Sequence, residues 1–371
     1  MNTTFLVADM VLAFIISAVF AGFIIPQILL IAFRKQLFDV PDERKIHTSA
    51  VPRLGGIAFM LVTMFTVMLI IGVNLALEET AICGDIIDNI LYFCFGFCAL
   101  VLIYVVGIAD DLIGVRYRAK FVVQALSAFL IVASGLYIGD LHGLMFVHTL
   151  PPIVGYILTV IVIVFITNSI NLIDGIDGLA SGLCMVALLY YCIVFFTFGH
   201  YTYALISAAL FGTVVPFFYY NVFGRAEKQK KIFMGDTGAL TLGVMISFLS
   251  LRINQFGSDS NVNNAFVMAF APLIVPCFDV IRVYFHRIRE HKSPFLPDKN
   301  HIHHKLMRAG LTPGWAMIAI IMFSIIVTVL NLALSFILNL SLLMLLDLLC
   351  YFAGHEVLNK YIARRNEKTI A

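Results

Sequence analysis

Residues 154–182 read "VGYILTVIVIVFITNSINLIDGIDGLASG". From Val154 to Thr167 the segment carries no charge, so it predicts the body of a membrane-spanning helix. Asp174 and Asp177 then arrive together with Asn168, Asn171, Gly175 and Gly178, and no lysine or arginine stands close in sequence. Asn171, Asp174 and Asp177 recur at i, i+3 and i+6, which predicts one helical stripe. Gly175 and Gly178 point instead to a broken or closely approached helix start. A helix N-cap would explain one of the acids but not both.

The rest of the chain supports a membrane setting. Of its 371 residues, 61% are hydrophobic and only 12% charged, against roughly 25% charged in soluble domains. Apolar windows fall near 5–33, 54–76, 88–108, 119–138, 150–169, 178–198, 201–220, 237–252, 264–285, 313–335 and 337–358. They predict an all-α polytopic membrane protein of about eleven helices, the 237–252 span being the shortest. Every lysine and arginine except Arg252 falls in one set of alternate loops or in the tail. The positive-inside rule then places the N-terminus outside and the C-terminus in the cytoplasm. The N-terminus shows neither a basic n-region nor a cleavage site, so residues 5–33 read as a retained helix. With no linker or repeat visible, residues 1–371 read as a single domain. The seven cysteines show no metal-binding or disulfide spacing and read as small apolar packing residues.

The polar chemistry collects in the basic set of loops. In "LFDVPDERKIHTSAVPRLGG" (37–56), Arg34 and Lys35 just upstream obey the charge rule. Pro52 and the Gly55-Gly56 pair would let backbone amides approach an anion at a helix start. In "GIADDLIGVRYRAK" (107–120), Asp110 and Asp111 close a helix, where the dipole disfavours negative charge. Adjacent carboxylates both stay ionised only near a cation or strong donors. A metal or proton-transfer role therefore reads better than simple pairing with Arg116, Arg118 or Lys120. Asn221 sits at a helix end, and Asp236 stands in "MGDTGAL" before the next helix. In "SPFLPDKNHIHHKLMRAG" (293–310), His301, His303 and His304 suit phosphate oxygens better than zinc, since no thiolate is near. The acids in these loops are hard oxygen ligands suited to Mg²⁺ or Mn²⁺. Asp279 and Arg282, at i and i+3, read as a structural ion pair, and Asp347 has no evident role. On this reading the acids lack partners because a metal carrying a phosphorylated substrate completes the site.

The combination of "DD" (110–111) with Lys120, "NLIDGIDGLASG" (171–182), "GDTG" (235–238) and "HIHH" (301–304) resembles the polyprenyl-phosphate N-acetylhexosamine-1-phosphate transferases, glycosyltransferase family 4. "RKIHTSAVPRLGG" (44–56) and "DKNHIHHKLMRAG" are similar to the branch acting on UDP-GlcNAc and undecaprenyl phosphate. Ile302 interrupts the consecutive histidines usual in the phospho-MurNAc-pentapeptide branch, the alternative reading. The resemblance implies transfer of a sugar 1-phosphate from a UDP-sugar to a lipid phosphate, with release of UMP and a need for Mg²⁺. It implies Asp236, with Asp111 and Asn171, toward the metal, and Asp110 and Asp111 as the catalytic pair. Lys120 and the three histidines would bind phosphates. Asn171, Asp174, Asp177 and Asn221 would shape the nucleotide and metal site. Lys45, His47 and Arg53 would contact substrate, and Phe233 would stack on uracil. It also implies a bacterial inner-membrane location and a homodimer, with no nucleic-acid partner. A secondary transporter is the reading from a different class. It would place its coupling carboxylates near the bilayer midplane, whereas these collect at one face.

Overall fold

The computed structural model describes residues 3–38, 51–256, 262, 264–291 and 300–370. Lys45 and His47 lie outside these residues. Among the described residues the architecture is helical, apart from a short antiparallel hairpin of β1 (Asp140–Leu144) and β2 (Val147–Thr149) that apolar periodicity does not reveal.

The long helices match the expected segments one for one. They are α1 (Thr3–Lys35), α2 (Ile57–Ala76), α4 (Ile90–Ile113), α5 (Tyr117–Ala133), α6 (Pro152–Ile173), α7 (Leu179–Thr197), α8 (Tyr201–Val222) and α9 (Gly235–Asn254). A composite span of α10 (Ala265–Phe270), a 3₁₀ turn and α11 (Ile274–Arg289) follows, then α13 (Pro313–Leu334) and α14 (Leu340–Ile370). Short helices α3 (Gly84–Asp88) and α12 (Ile302–Arg308) sit between them. Among the described residues ten helical spans are long and apolar enough to cross a membrane. The exception is α5, whose 17 residues cover about 25 Å at 1.5 Å per residue. The last helix runs past the expected end near 358 to Ile370.

The least apolar span is the most enclosed. In α9, 89% of the spanning window is buried, against 22% for α1 and 17% for α14. Its sequence "GDTGALTLG" contains small residues that let neighbouring backbones approach closely, as helices in lipid require. A Cβ on Gly56 at the start of α2 would collide with Gly238, one on Gly107 of α4 would meet the Thr237 Cα at 2.5 Å, and one on Gly243 would meet the Thr167 Cα of α6 at 2.6 Å. α9 therefore faces protein rather than lipid, which explains its low hydropathy. The C-terminal ends of α4, α6, α8 and α11 and the N-terminal ends of α5, α7 and α9 form one end of this bundle, where the polar motifs meet.

Candidate active site

The first cluster forms where α4 ends and α5 begins. Asp110 Oδ1 accepts the Val115 N–H at 2.6 Å, closing the turn, and Oδ2 accepts Lys120 Nζ at 2.7 Å. Lys120 Nζ also lies 3.4 Å from Asp236 Oδ1, which accepts Asn171 Nδ2 at 3.0 Å. Helices α4, α5, α6 and α9 thus each supply one member of a carboxylate–ammonium–carboxylate–amide chain. The lysine offsets the repulsion between Asp110 and Asp236 while all three remain partly accessible, at 7%, 22% and 24% for Asp110, Lys120 and Asp236.

Asp111 has a different job from its neighbour. Its Oδ1 accepts the Asp236 N–H at 2.8 Å, and its Oδ2 accepts the Thr237 N–H at 2.9 Å and the Thr237 hydroxyl at 2.5 Å. It closes α4 in sequence but caps the start of α9 in space, where unpaired N–H groups and the positive end of the dipole favour a carboxylate. Gly235 makes this approach feasible: its φ is +71°, and a Cβ there would meet Asp111 Oδ2 at 2.5 Å. Both Asp111 oxygens therefore hold the start of α9, which places this carboxylate directly against the backbone of Asp236.

The second cluster is the 174–178 loop. α6 ends at Ile173, so Asn171, Asp174 and Asp177 do not share a helical stripe. Gly178 takes φ +77° at the start of α7 and donates its N–H to Asn221 Oδ1 at 2.6 Å. Asn221 Nδ2 donates to the Ile232 carbonyl at 2.9 Å. Buried Asn221 thus ties two loops of the site together. Asp177 Oδ2 accepts Lys231 Nζ at 2.6 Å, and that ammonium lies 6.0 Å from the centre of the Phe233 ring. Asp174 keeps a solvent-exposed side chain in a loop crowded by protein. Its carboxyl is pushed up to about 7, first by withdrawal from bulk water and then by the charges of Asp177 and Asp236, while Arg53 opposes the shift.

The Gly55-Gly56 amides serve the fold and not a ligand. Gly55 donates to the Phe233 carbonyl at 3.0 Å and Gly56 to the Met234 carbonyl at 2.9 Å, while Phe233 donates to Pro52 at 2.8 Å. This short ladder holds Arg53 beside the 174–178 loop.

The histidine motif opens α12. A Cβ on Gly175 would collide with His303 Nε2, so the ring packs directly on the aspartate loop. His301 and His303 stack nearly parallel, with centroids 5.8 Å apart and planes 4° apart. The three histidines sit in different surroundings. His303 is fully buried, and both its ring nitrogens lack a protein partner among the described residues. Burial, followed by the neighbouring His304 and His301, holds it down at about 3, so it is neutral at physiological pH. His301 is buried with Nδ1 2.8 Å from Asp279 Oδ2, while His304 is half-buried.

The acids expected to be uncompensated are mostly compensated across the fold. Lys120 serves Asp110, Lys231 serves Asp177, and the start of α9 serves Asp111. Lys231 and Thr237 are site residues that sequence reading did not single out. Lys231 was visible only as one member of "KQKK", with nothing in sequence to separate it from its neighbours. Among the described residues no three Asp, Glu, His or Cys side chains form a ready-made cation cage.

The chain's similarity to known proteins points the same way as this geometry. Residues 93–254 match the profile of glycosyl transferase family 4. A Bacillus subtilis protein named a probable undecaprenyl-phosphate N-acetylglucosaminyl 1-phosphate transferase is 33% identical over 322 residues, covering 86% of this chain and 83% of its own. The undecaprenyl-phosphate alpha-N-acetylglucosaminyl 1-phosphate transferases of Yersinia pestis and Escherichia coli K12 are 31% and 29% identical, each covering 78% of this chain and 74% of their own. The chain therefore belongs to glycosyl transferase family 4, in the branch of the undecaprenyl-phosphate N-acetylglucosaminyl 1-phosphate transferases.

Proposed function

We propose that this protein transfers N-acetylglucosamine 1-phosphate from UDP-GlcNAc to undecaprenyl phosphate, releasing UMP, at the cytoplasmic face of a bacterial inner membrane. The observation that carries the reading is Lys120 held between Asp110 and Asp236 at one end of a membrane bundle. The lipid carrier explains the architecture: its chain stays in the bilayer while its phosphate meets a soluble nucleotide. The concentration of basic residues at this end supports an outside N-terminus and a cytoplasmic C-terminus. Carboxylates gathered at one end of the bundle fit catalysis at a membrane surface rather than transport through the midplane.

The chemical task is to bring two anions together. A phosphate monoester with a second pKa near ~6 is mostly dianionic at neutral pH, so it attacks the β-phosphorus of UDP-GlcNAc with little help from a base. Unit charges 4 Å apart repel by about 4 kcal/mol at an effective dielectric of ~20. Lys120, Arg53 and Lys231 supply positive charge around the cleft, and Asp110 orients the lipid phosphate through the same hydrogen-bonded chain. Phe233, beside Lys231, offers an aromatic face to uracil.

The donor set fits Mg²⁺, with Mn²⁺ as a substitute. Asp236, Asp174 and Asp177 offer hard oxygens, and the lack of a complete protein cage suits an ion that takes few protein ligands and completes its shell with water and phosphate. When bound there, Mg²⁺ neutralises charge on the diphosphate.

The test is product identity. Purified protein with UDP-GlcNAc, undecaprenyl phosphate and Mg²⁺ should release UMP only when lipid and metal are both present. Release of UDP would make the protein an ordinary glycosyltransferase and sink the reading.

A further inference from the structure

Asp279 lies near the middle of α11, and its side chain is completely excluded from solvent. Pairing with Arg282 at 2.9 Å accounts for one contact only. Oδ1 also accepts the Ile302 N–H at 3.0 Å, at the first turn of α12, and the Tyr351 hydroxyl of α14 at 3.4 Å. Oδ2 faces His301 Nδ1 at 2.8 Å. Four donors from three separate segments thus converge on one buried carboxylate. Arg282 also donates to the Asn300 carbonyl, fixing the residue that precedes the histidines.

An ionised carboxylate only accepts hydrogen bonds, so the nitrogen facing it must carry a proton. This fixes His301 with Nδ1 protonated, whatever Nε2 then faces. The same carboxylate fixes the backbone at Ile302, so the tautomer of His301 and the position of its ring have one common origin. Because His301 stacks on His303 and His303 packs on Gly175, a displaced His301 ring also disturbs the loop that carries Asp174 and Asp177. The last helix enters through Tyr351, and two further ties bind it to α12: Lys305 Nζ donates to Asn359 Oδ1 at 2.8 Å, and Arg365 donates to the Ala309 carbonyl.

We infer that Asp279 is the positioning residue of the histidine motif, holding His301 with its proton on Nδ1 and anchoring α12 against α14. The inference rests on the proposed transferase reading for its kinetic consequence, but not for the tautomer. Buried carboxylates orient catalytic and metal-binding histidines elsewhere in this way, and converting one to its amide costs up to about 10⁴-fold in kcat in a serine protease.

Asp279→Asn keeps the side-chain shape but introduces an N–H₂ that can face Nδ1 only if Nδ1 gives up its proton. The informative measurement is the ¹⁵N spectrum of histidine-labelled protein in lipid, with His301 assigned by comparison with His301→Gln, alongside UMP release. The wild type should show Nδ1 protonated, and D279N should show it deprotonated. D279N should lower kcat at least 100-fold while the KM for UDP-GlcNAc moves less than threefold. Asp279→Glu, which keeps the carboxylate, should recover at least tenfold of that loss. A wild-type His301 with Nδ1 unprotonated overturns the inference, and that result needs no variant to fold. An unchanged His301 spectrum or unchanged kcat in D279N also overturns it. If the wild type releases no UMP while the tautomer switches as stated, the transferase reading fails and the positioning role of Asp279 stands.

Discussion

Asp111→Asn separates a helix cap from a metal ligand. Asp111 accepts three hydrogen bonds from the first turn of α9, at 2.8, 2.9 and 2.5 Å. An asparagine keeps one accepting oxygen and turns an N–H₂ toward the remaining donors. At least one charge-assisted bond worth about 1.5–3 kcal/mol is lost, and with it the favourable charge at the dipole, worth roughly 0.3–1 kcal/mol. The expected destabilisation is about 3 kcal/mol. With an unfolding entropy of roughly 2.1 cal/mol/K per residue, a chain of 371 residues should lose about 4 °C in Tm. A thiol-reactive dye suits the assay, read as the rise above the labelling of exposed Cys94, Cys98 and Cys350 when buried Cys83 and Cys184 become reactive on unfolding. Thr237→Val removes one of the three bonds and should cost about 1 kcal/mol. Asp110→Asn leaves the α9 cap intact but weakens the bond to Lys120, so it should lower UMP release at least 100-fold, a loss far beyond what its Tm change would explain. A D111N protein with wild-type Tm that needs far more Mg²⁺ for activity would refute the cap as its main role and assign Asp111 to the metal.

Further outcomes follow from the same geometry. Gly175→Ala pushes a methyl into the His303 ring and should reduce kcat more than tenfold with little loss of expression, measured by UMP release; full activity would show that the ring contact is dispensable. Lys231→Met removes the partner of Asp177 and should raise the KM for UDP-GlcNAc about tenfold while Asp110-dependent chemistry persists; an unchanged KM would argue against a donor-side role. Asp174 titrates near 7 in the folded protein and near 3.8 when unfolded, so the native state binds the extra proton between those values. Its contribution is present at low pH and is lost as pH rises through 7. With metal chelated, the wild-type Tm should therefore fall from pH 5 to pH 8 more than that of Asp174→Asn, and parallel curves would refute the shift.

Uncharged windows with basic loops on alternate sides made the helices legible, because lipid tolerates few other spanning structures. The same pattern showed which loops share a face and hence that Asp110, Asp174, Asp177, Asp236 and the histidines belong to one neighbourhood. The 237–252 span was the least legible, since α9 is surrounded by protein and needs small residues rather than apolar ones. The β-hairpin was invisible to apolar periodicity for the opposite reason: it spans no membrane. Charge partnership was beyond the reach of sequence. Lys231 meets Asp177 across 54 positions, Asn171 meets Asp236 across 65, and Asp111 meets Thr237 across 126. Residue type and local spacing determined which acids gather at the membrane surface. Only the packing of α4, α5, α6 and α9 around one another decided which of them caps a helix, which shares a lysine, and which remains open to the cleft, because a carboxylate's role is set by the donors within about 3 Å of it.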